Sequence, residues 1–182
     1  MKRSSGILMP VSSLPSPWGI GTLGRAAREF VDFLAAADQS WWQMLPVGPT
    51  SYGDSPYQSF SAYAGNPYFV DLDCLREDGL LERAEIEAVN WGTAPEAVDY
   101  AAIYENRFSL LQKATDRGWA RDAEAVAAFV EENREWLPDF ALFMALKRHF
   151  GMKPWTQWPD ADIRLRRPGA VERYTRELEA DI

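Results

Sequence analysis

The sequence predicts an α/β fold, helix-rich overall, on three observations. Two short apolar runs each end in Pro-Val, a helical period lies between them, and charged helix-periodic segments fill most of the chain after residue 75. The first run, "GILMPVSSL" from Gly6 to Leu14, is bounded by glycine and proline and reads as a buried strand that stops near Pro10. After the loop "PSPWGIGTLG", Ala26, Phe30, Phe33, Leu34 and Ala37 recur at helical spacing, which predicts a helix from Arg25 to Asp38. The second run, "WWQML" from Trp41 to Leu45, stops at Pro46. Strand, helix and strand form a βαβ unit, and right-handed crossover makes the strands parallel. Both following loops then leave one end of the sheet, where α/β proteins place their sites in open sheets and barrels alike.

Further along, "LERAEIEAV" reads as a short helix and "DYAAIYENRFSLLQKATDRG" as a longer one that Gly118 ends. "DAEAVAAFVEENREWL" is another, and Pro138 starts a fresh helix that Gly151 closes. "MKPWTQWPD" is a loop, and Ala170 to Ile182 is helical.

The chain has 182 residues, enough for one domain or a piece of a larger one. A formal net charge of −8 argues against a nucleic-acid or anionic-membrane partner, both of which need a basic footprint. The lone cysteine, Cys74, has no partner for an internal disulfide, and "MKRSSGILMPVSS" lacks the apolar stretch of a signal peptide or membrane span, so the expected compartment is the cytoplasm. With one histidine, His149, and one cysteine, zinc and Cys/His nucleophile chemistry are disfavoured. His149 falls at a helix C-terminus, where exposure or a dipole interaction accounts for it. Most of the eight tryptophans are expected in the core. "GIGTLG" matches G-x-G-x-x-G formally, but its strand ends well upstream and three prolines intervene, so it is a weak nucleotide signal.

The segment "TSYGDSPYQSFSAYAGNPYF", from Thr50 to Phe69, has neither period and carries one charge, Asp54. A sugar is apolar on its ring faces and hydroxylated at its edge, so it asks for flat aromatic platforms beside short polar groups. Ser51, Tyr52, Asp54, Ser55, Tyr57, Gln58, Ser59 and Asn66 supply them, on a chain shaped by Gly53, Gly65, Pro56 and Pro67. The rival reading is a self-packed Ω-loop with Phe60, Tyr63, Tyr68 and Phe69 as filler. Asp71 and Asp73 in "VDLD" read as turn or capping acids before a carboxylate pair on a strand.

Three stretches, "SSGILMPVSSLPSPWGIGTLG", "WWQMLPVGPTSYGDSPYQSFSAYAGNPYFVDLD" and "DFALFMALKRHFGMKPWTQWP", closely resemble the N-terminal part of the 4-α-glucanotransferases, the amylomaltase or disproportionating-enzyme family of glycoside hydrolase family 77. "GDSPYQSFSAYAGNPYF" is the most specific of them. The resemblance implies a (β/α)8 TIM barrel with helical insertions, of which residues 1–75 would supply the first two strands and substrate loops. Residues 76–160 would form a mainly helical insertion, and residues 161–182 the start of a further helix. It also implies a retaining transfer of a 1,4-α-glucan segment to the 4-hydroxyl of a glucose or glucan acceptor, without metal or organic cofactor. Such a reaction uses a carboxylate nucleophile and a carboxylic acid/base about 5–5.5 Å apart.

No segment here resembles the sequences around the family's three acids, so no catalytic residue is carried over and those acids are expected beyond Ile182. Substrate contacts do transfer. Tyr57 resembles the tyrosine that stacks on the sugar at the cleavage point, and Asp54, Ser55, Pro56 and Gln58 belong to the same loop. Tyr52 and Tyr104 resemble aromatic positions of an outlying glucan groove. Asp38, Trp41 and Ser51 depart from the family, which has glycine, tyrosine and glycine there; aspartate fits a positive φ at 38 less well than glycine. The chain alone is expected to be inactive and, as a partial barrel with an open strand edge, to self-associate or dissolve poorly. The alternatives are a stand-alone, non-catalytic maltodextrin-binding module, and an interaction domain that uses the charged helices from Ala101 onward.

Overall fold

A computed structural model describes residues 3–51, 53–94 and 96–182. Strand β1 (Gly6–Leu8) and strand β2 (Trp41–Gln43) pair in parallel with Gly6 opposite Trp41 and Leu8 opposite Gln43, joined by helix α1 (Arg25–Ala36). The βαβ unit is thus present, and the Met9 amide continues its ladder to the Gln43 carbonyl at 3.0 Å. The strands are shorter than their apolar runs because Pro10 and Pro46 have no amide to donate. They are also not buried as expected: all three β1 residues are exposed and Trp41 is 65% exposed, since among the described residues the sheet has only two strands.

On α1, Ala27 and Leu34 are buried, with Ala26 and Phe30 packed around Val11 and Leu14. Phe33, expected on the same stripe, is exposed. The helix ends at Asp38 with φ +53°, a left-handed conformation that favours glycine.

Helix α2 (Leu72–Glu77) is too short to show a period in the sequence, and α3 (Arg83–Glu87) follows it. Glu85 accepts from the Glu82 amide at 3.0 Å and pairs with Arg117 at 2.7 and 2.9 Å. Those contacts, Arg117 first, hold its carboxyl down to about 2. Helix α4 (Tyr100–Gly118) starts on an Asp99 side-chain cap to the Ala102 amide. Leu72, Leu81, Ile86, Leu110 and Ala114 form the core that locks α2, α3 and α4 together. Full burial of a side chain such as Leu72 contributes about 1.5–3 kcal/mol.

The chain divides into two compact units, residues 1–122 and 123–182. In the second, α5 (Ala123–Glu132) has no buried residue, and α6 (Leu137–His149) has Pro138 in its first turn and Gly151 at φ +66° just past its end. Helices α7 (Ala161–Arg164) and α8 (Pro168–Glu177) pack on α6 through Leu142, Leu146, Trp158, Ile163 and Tyr174. The expected tail helix therefore starts two residues earlier and ends before a final turn, Glu179–Asp181. His149 is exposed at the α6 C-terminus, edge-on to Phe150.

Candidate functional site

Because β1 and β2 are parallel, the loops after both leave the same end, and they converge there on a cleft of about 150 Å³. Val11, Ser12 and Ile20 line it from the first loop, and Leu45, Pro46, Thr50, Asp54, Pro56, Asn66, Tyr68 and Phe69 from the second. Tyr100, at the start of α4, closes a third side.

The second loop folds against itself. Thr50 and Ser59 form an antiparallel bridge, the Ser51 amide donates to the Gln58 carbonyl at 3.0 Å, and the Asp54 amide to the Ser51 carbonyl at 3.0 Å. Gly53 at φ +90° and Asp54 at φ +53° make the reversal that turns the Asp54 carboxylate toward the cleft, where the Thr50 hydroxyl lies 3.4 Å away. Lower down, the Asn66 amide donates to the Val47 carbonyl at 2.8 Å, and its side chain accepts from the Tyr68 amide at 2.9 Å.

The two loops are tied together. Asp71 caps α2 by accepting from the Cys74 amide at 2.9 Å, and its other oxygen takes the hydroxyl of buried Thr22. Burial alone would raise this carboxyl, but the hydrogen bonds from Thr22 and Cys74 outweigh it and hold the pKa below the usual carboxylate range. Asp73 accepts from the Trp18 indole at 2.8 Å. Asp71 is therefore a cap, as the turn-or-capping reading expects, whereas Asp73 serves as a loop anchor that this reading did not foresee. The glycines of "GIGTLG" serve close packing instead of a nucleotide: a Cβ on Gly24 would lie 1.9 Å from the Asp71 carboxylate, and one on Gly21 would lie 2.1 Å from the Val11 carbonyl.

Among the described lining residues Asp54 is the one acid, so the cleft presents no carboxylate pair. Burial, with the Asp54 charge behind it, pushes the Tyr68 phenol up to about 12, and burial also raises that of Tyr100. Both remain neutral hydroxyls at physiological pH, set among apolar Ile20, Leu45 and Phe69. Such a surface can hold a neutral polyol through hydroxyl, amide and ring-face contacts. No group of acids, histidines or cysteines suited to a metal ion occurs among the described residues.

Of the residues singled out in the sequence for sugar contact, Asp54, Pro56 and Asn66 line the cleft. Ser55, Tyr57 and Gln58 stand on the same reversal but outside its lining, with Tyr57 73% exposed at the surface. Tyr104 is half-exposed one turn beyond Tyr100, edge-on to Phe108, which in turn meets Tyr68. Tyr52 lies outside the described residues. The filler reading of the loop fits Tyr68, which is buried, and not Tyr63, which is 75% exposed. Ser12, Ile20 and Tyr100 were not legible as site residues. The signal that could have found Tyr100 is its i,i+4 spacing to Tyr104 on one helix face.

A family model described as 4-alpha-glucanotransferase, glycoside hydrolase family 77, matches residues 9–182. The chain is 51% identical over 178 residues to a 4-alpha-glucanotransferase of Streptococcus pneumoniae, covering 97% of this chain and 35% of that protein. It is 45% identical over 186 residues to that of Thermus thermophilus, covering 100% of this chain and 36% of the relative. The solved structure of the amylomaltase from Streptococcus agalactiae in complex with acarbose superposes with a TM-score of 0.95 at 44% identity, over 99% of this chain and 37% of that one. The chain thus spans about a third of the length of these relatives. With a family model covering nearly all of its length and a matching fold, the chain belongs to the 4-alpha-glucanotransferase family of glycoside hydrolase family 77.

Proposed function

We propose that this chain is the substrate-loop region of a cytoplasmic 4-α-glucanotransferase, and that its cleft receives glucosyl units of a 1,4-α-glucan donor or acceptor. The observation that carries the reading is the convergence of both strand-end loops on a polyol-compatible cleft, in a chain that belongs to this family. Tyr57 offers an exposed ring at the loop tip as a stacking platform, with Asp54, Ser55, Pro56 and Gln58 around it. Tyr104, and Tyr52 by its position in the sequence, would extend contact to an outlying part of the glucan.

In this reading β1 and β2 are the first strands of a (β/α)8 barrel, residues 76–160 its helical insertion and residues 161–182 the start of a further helix. The retaining transfer needs two carboxyl groups that flank the scissile bond, and the cleft presents only Asp54 among its described lining residues. In this reading the reacting acids come from outside this segment, and the segment's own part is to bind and orient sugar. Orientation of the acceptor hydroxyl favours transfer over hydrolysis.

Calorimetric titration of the chain with acarbose and with maltoheptaose tests the binding. Both are expected to bind, and Tyr57→Ala to weaken binding by roughly tenfold, the value of a lost ring-face contact. Absence of heat with either sugar overturns the reading. Incubation of the pure 182-residue chain with maltotriose is expected to leave the sugar unchanged; glucose and longer dextrins would show that the segment holds its own catalytic acids.

A further inference from the structure

Arg107, on α4, is among the most completely buried side chains described, yet among the described residues no carboxylate meets its guanidinium. One end group donates to the Val70 carbonyl, where the second loop finishes, and the other reaches the Trp18 carbonyl in the first loop at 3.5 Å. The guanidinium also lies over the Trp91 ring, 5.9 Å from its centre, and its Nε has no hydrogen-bond partner among the described residues. Burial pushes its pKa down to about 10, against the favourable charge of Asp71, so it stays a cation near neutral pH.

A buried cation without a direct anionic partner is a costly way to fill a core that a methionine could fill. What arginine adds is a rigid planar fork whose donors point two ways at once. Here the two directions are the two cleft-forming loops, and the same helix contributes Tyr100 to the cleft wall. Other ties between the loops, Thr22 to Asp71, the Leu23 amide to the Phe69 carbonyl and the Trp18 indole to Asp73, fall in the same two segments.

We infer that Arg107 is a positioning residue for the glucan cleft: it sets the separation of the loops after β1 and β2 and registers both against α4. The inference rests on the reading of the cleft as a glucan site. Arg107 is not among the residues that line the cleft, so its effect is to hold Ser12, Asp54 and Tyr68 in the arrangement that a sugar requires.

The test uses the 182-residue chain, acarbose as the probe, and the variants Arg107→Lys and Arg107→Met. Affinity is measured calorimetrically at a temperature where each variant is fully folded by circular dichroism, and amide exchange is followed by mass spectrometry. Folded variants are expected to bind acarbose roughly tenfold to a hundredfold more weakly than the parent, the usual cost of a misplaced site. Faster exchange is expected in segments 11–23 and 66–71, with α1 unchanged. Lysine keeps the charge and stem but cannot span both carbonyls, so Arg107→Lys carries the test if the methionine variant does not fold. A folded Arg107→Lys that binds acarbose as the parent does overturns the inference and leaves the cleft reading intact. Failure of both variants to fold overturns it as well, since the role would then be structural. If the parent itself binds no acarbose, the cleft reading falls first and the inference with it.

Discussion

The strands and the loops that leave them differ in a way opposite to expectation. In β1 every residue is exposed, whereas the following loop buries Val11, Leu14, Ile20 and Thr22 to 5% exposure or less. The loops are ordered by what lies beyond them: the Asp71 cap, the Trp18–Asp73 contact and the Arg107 fork. Order at this site is therefore a property of long-range polar ties more than of the sheet, and local stability need not follow secondary structure.

Asp71→Ala breaks this contrast most severely. It removes a helix cap worth about 1 kcal/mol and leaves the buried Thr22 hydroxyl without its partner at about 1–3 kcal/mol, so urea unfolding should show a loss of roughly 2–4 kcal/mol. A smaller change would place the loops' order elsewhere. The next test is pH. The folded carboxyls of Asp71 and Glu85 lie below their ordinary values, so their stabilisation is present above the unfolded pKa and is lost as pH falls through the folded one. Stability should decline below about pH 4, and Asp71→Asn should flatten that decline in thermal melts from pH 2 to 6. On the strand side, Asp38→Gly relieves a left-handed aspartate and should stabilise the chain by about 0.5–1 kcal/mol by chemical denaturation. The smallest effect is expected for Trp41→Ser, within about 0.5 kcal/mol, because the residue is 65% exposed and the bond its indole N–H donates to the Ser4 hydroxyl is itself at the surface. The same variant should reduce any self-association of the exposed strand pair in sedimentation velocity; a large loss of stability would show that the sheet contributes more than its exposure implies.

What the sequence made legible was local. Pro10, Pro46, Pro138, Gly118 and Gly151 marked where elements begin and end, and the period of α1 stood out against its loops. Asp71 was readable as a turn or capping acid from its residue type and its loop setting. Helix α2 was not, because six residues give too little period. The cleft was half legible: Asp54 and Pro56 sit in a compositionally odd segment, while Tyr100 and Arg107 look like ordinary positions of an amphipathic helix. Their importance arises from contacts with Ser12, Trp18 and Val70, dozens of residues away, and no local pattern encodes such pairings.

The Asp71 cap also bears on Cys74, whose amide it holds and whose thiol it faces. Burial first, and the neighbouring negative charge second, push that thiol up, so the reactive thiolate is scarce while the first turn of α2 is closed. As the sole cysteine of the chain, it offers a single-site chemical clock. The rate at which an alkylating reagent consumes it would time the opening of the first turn of α2, without any engineered label.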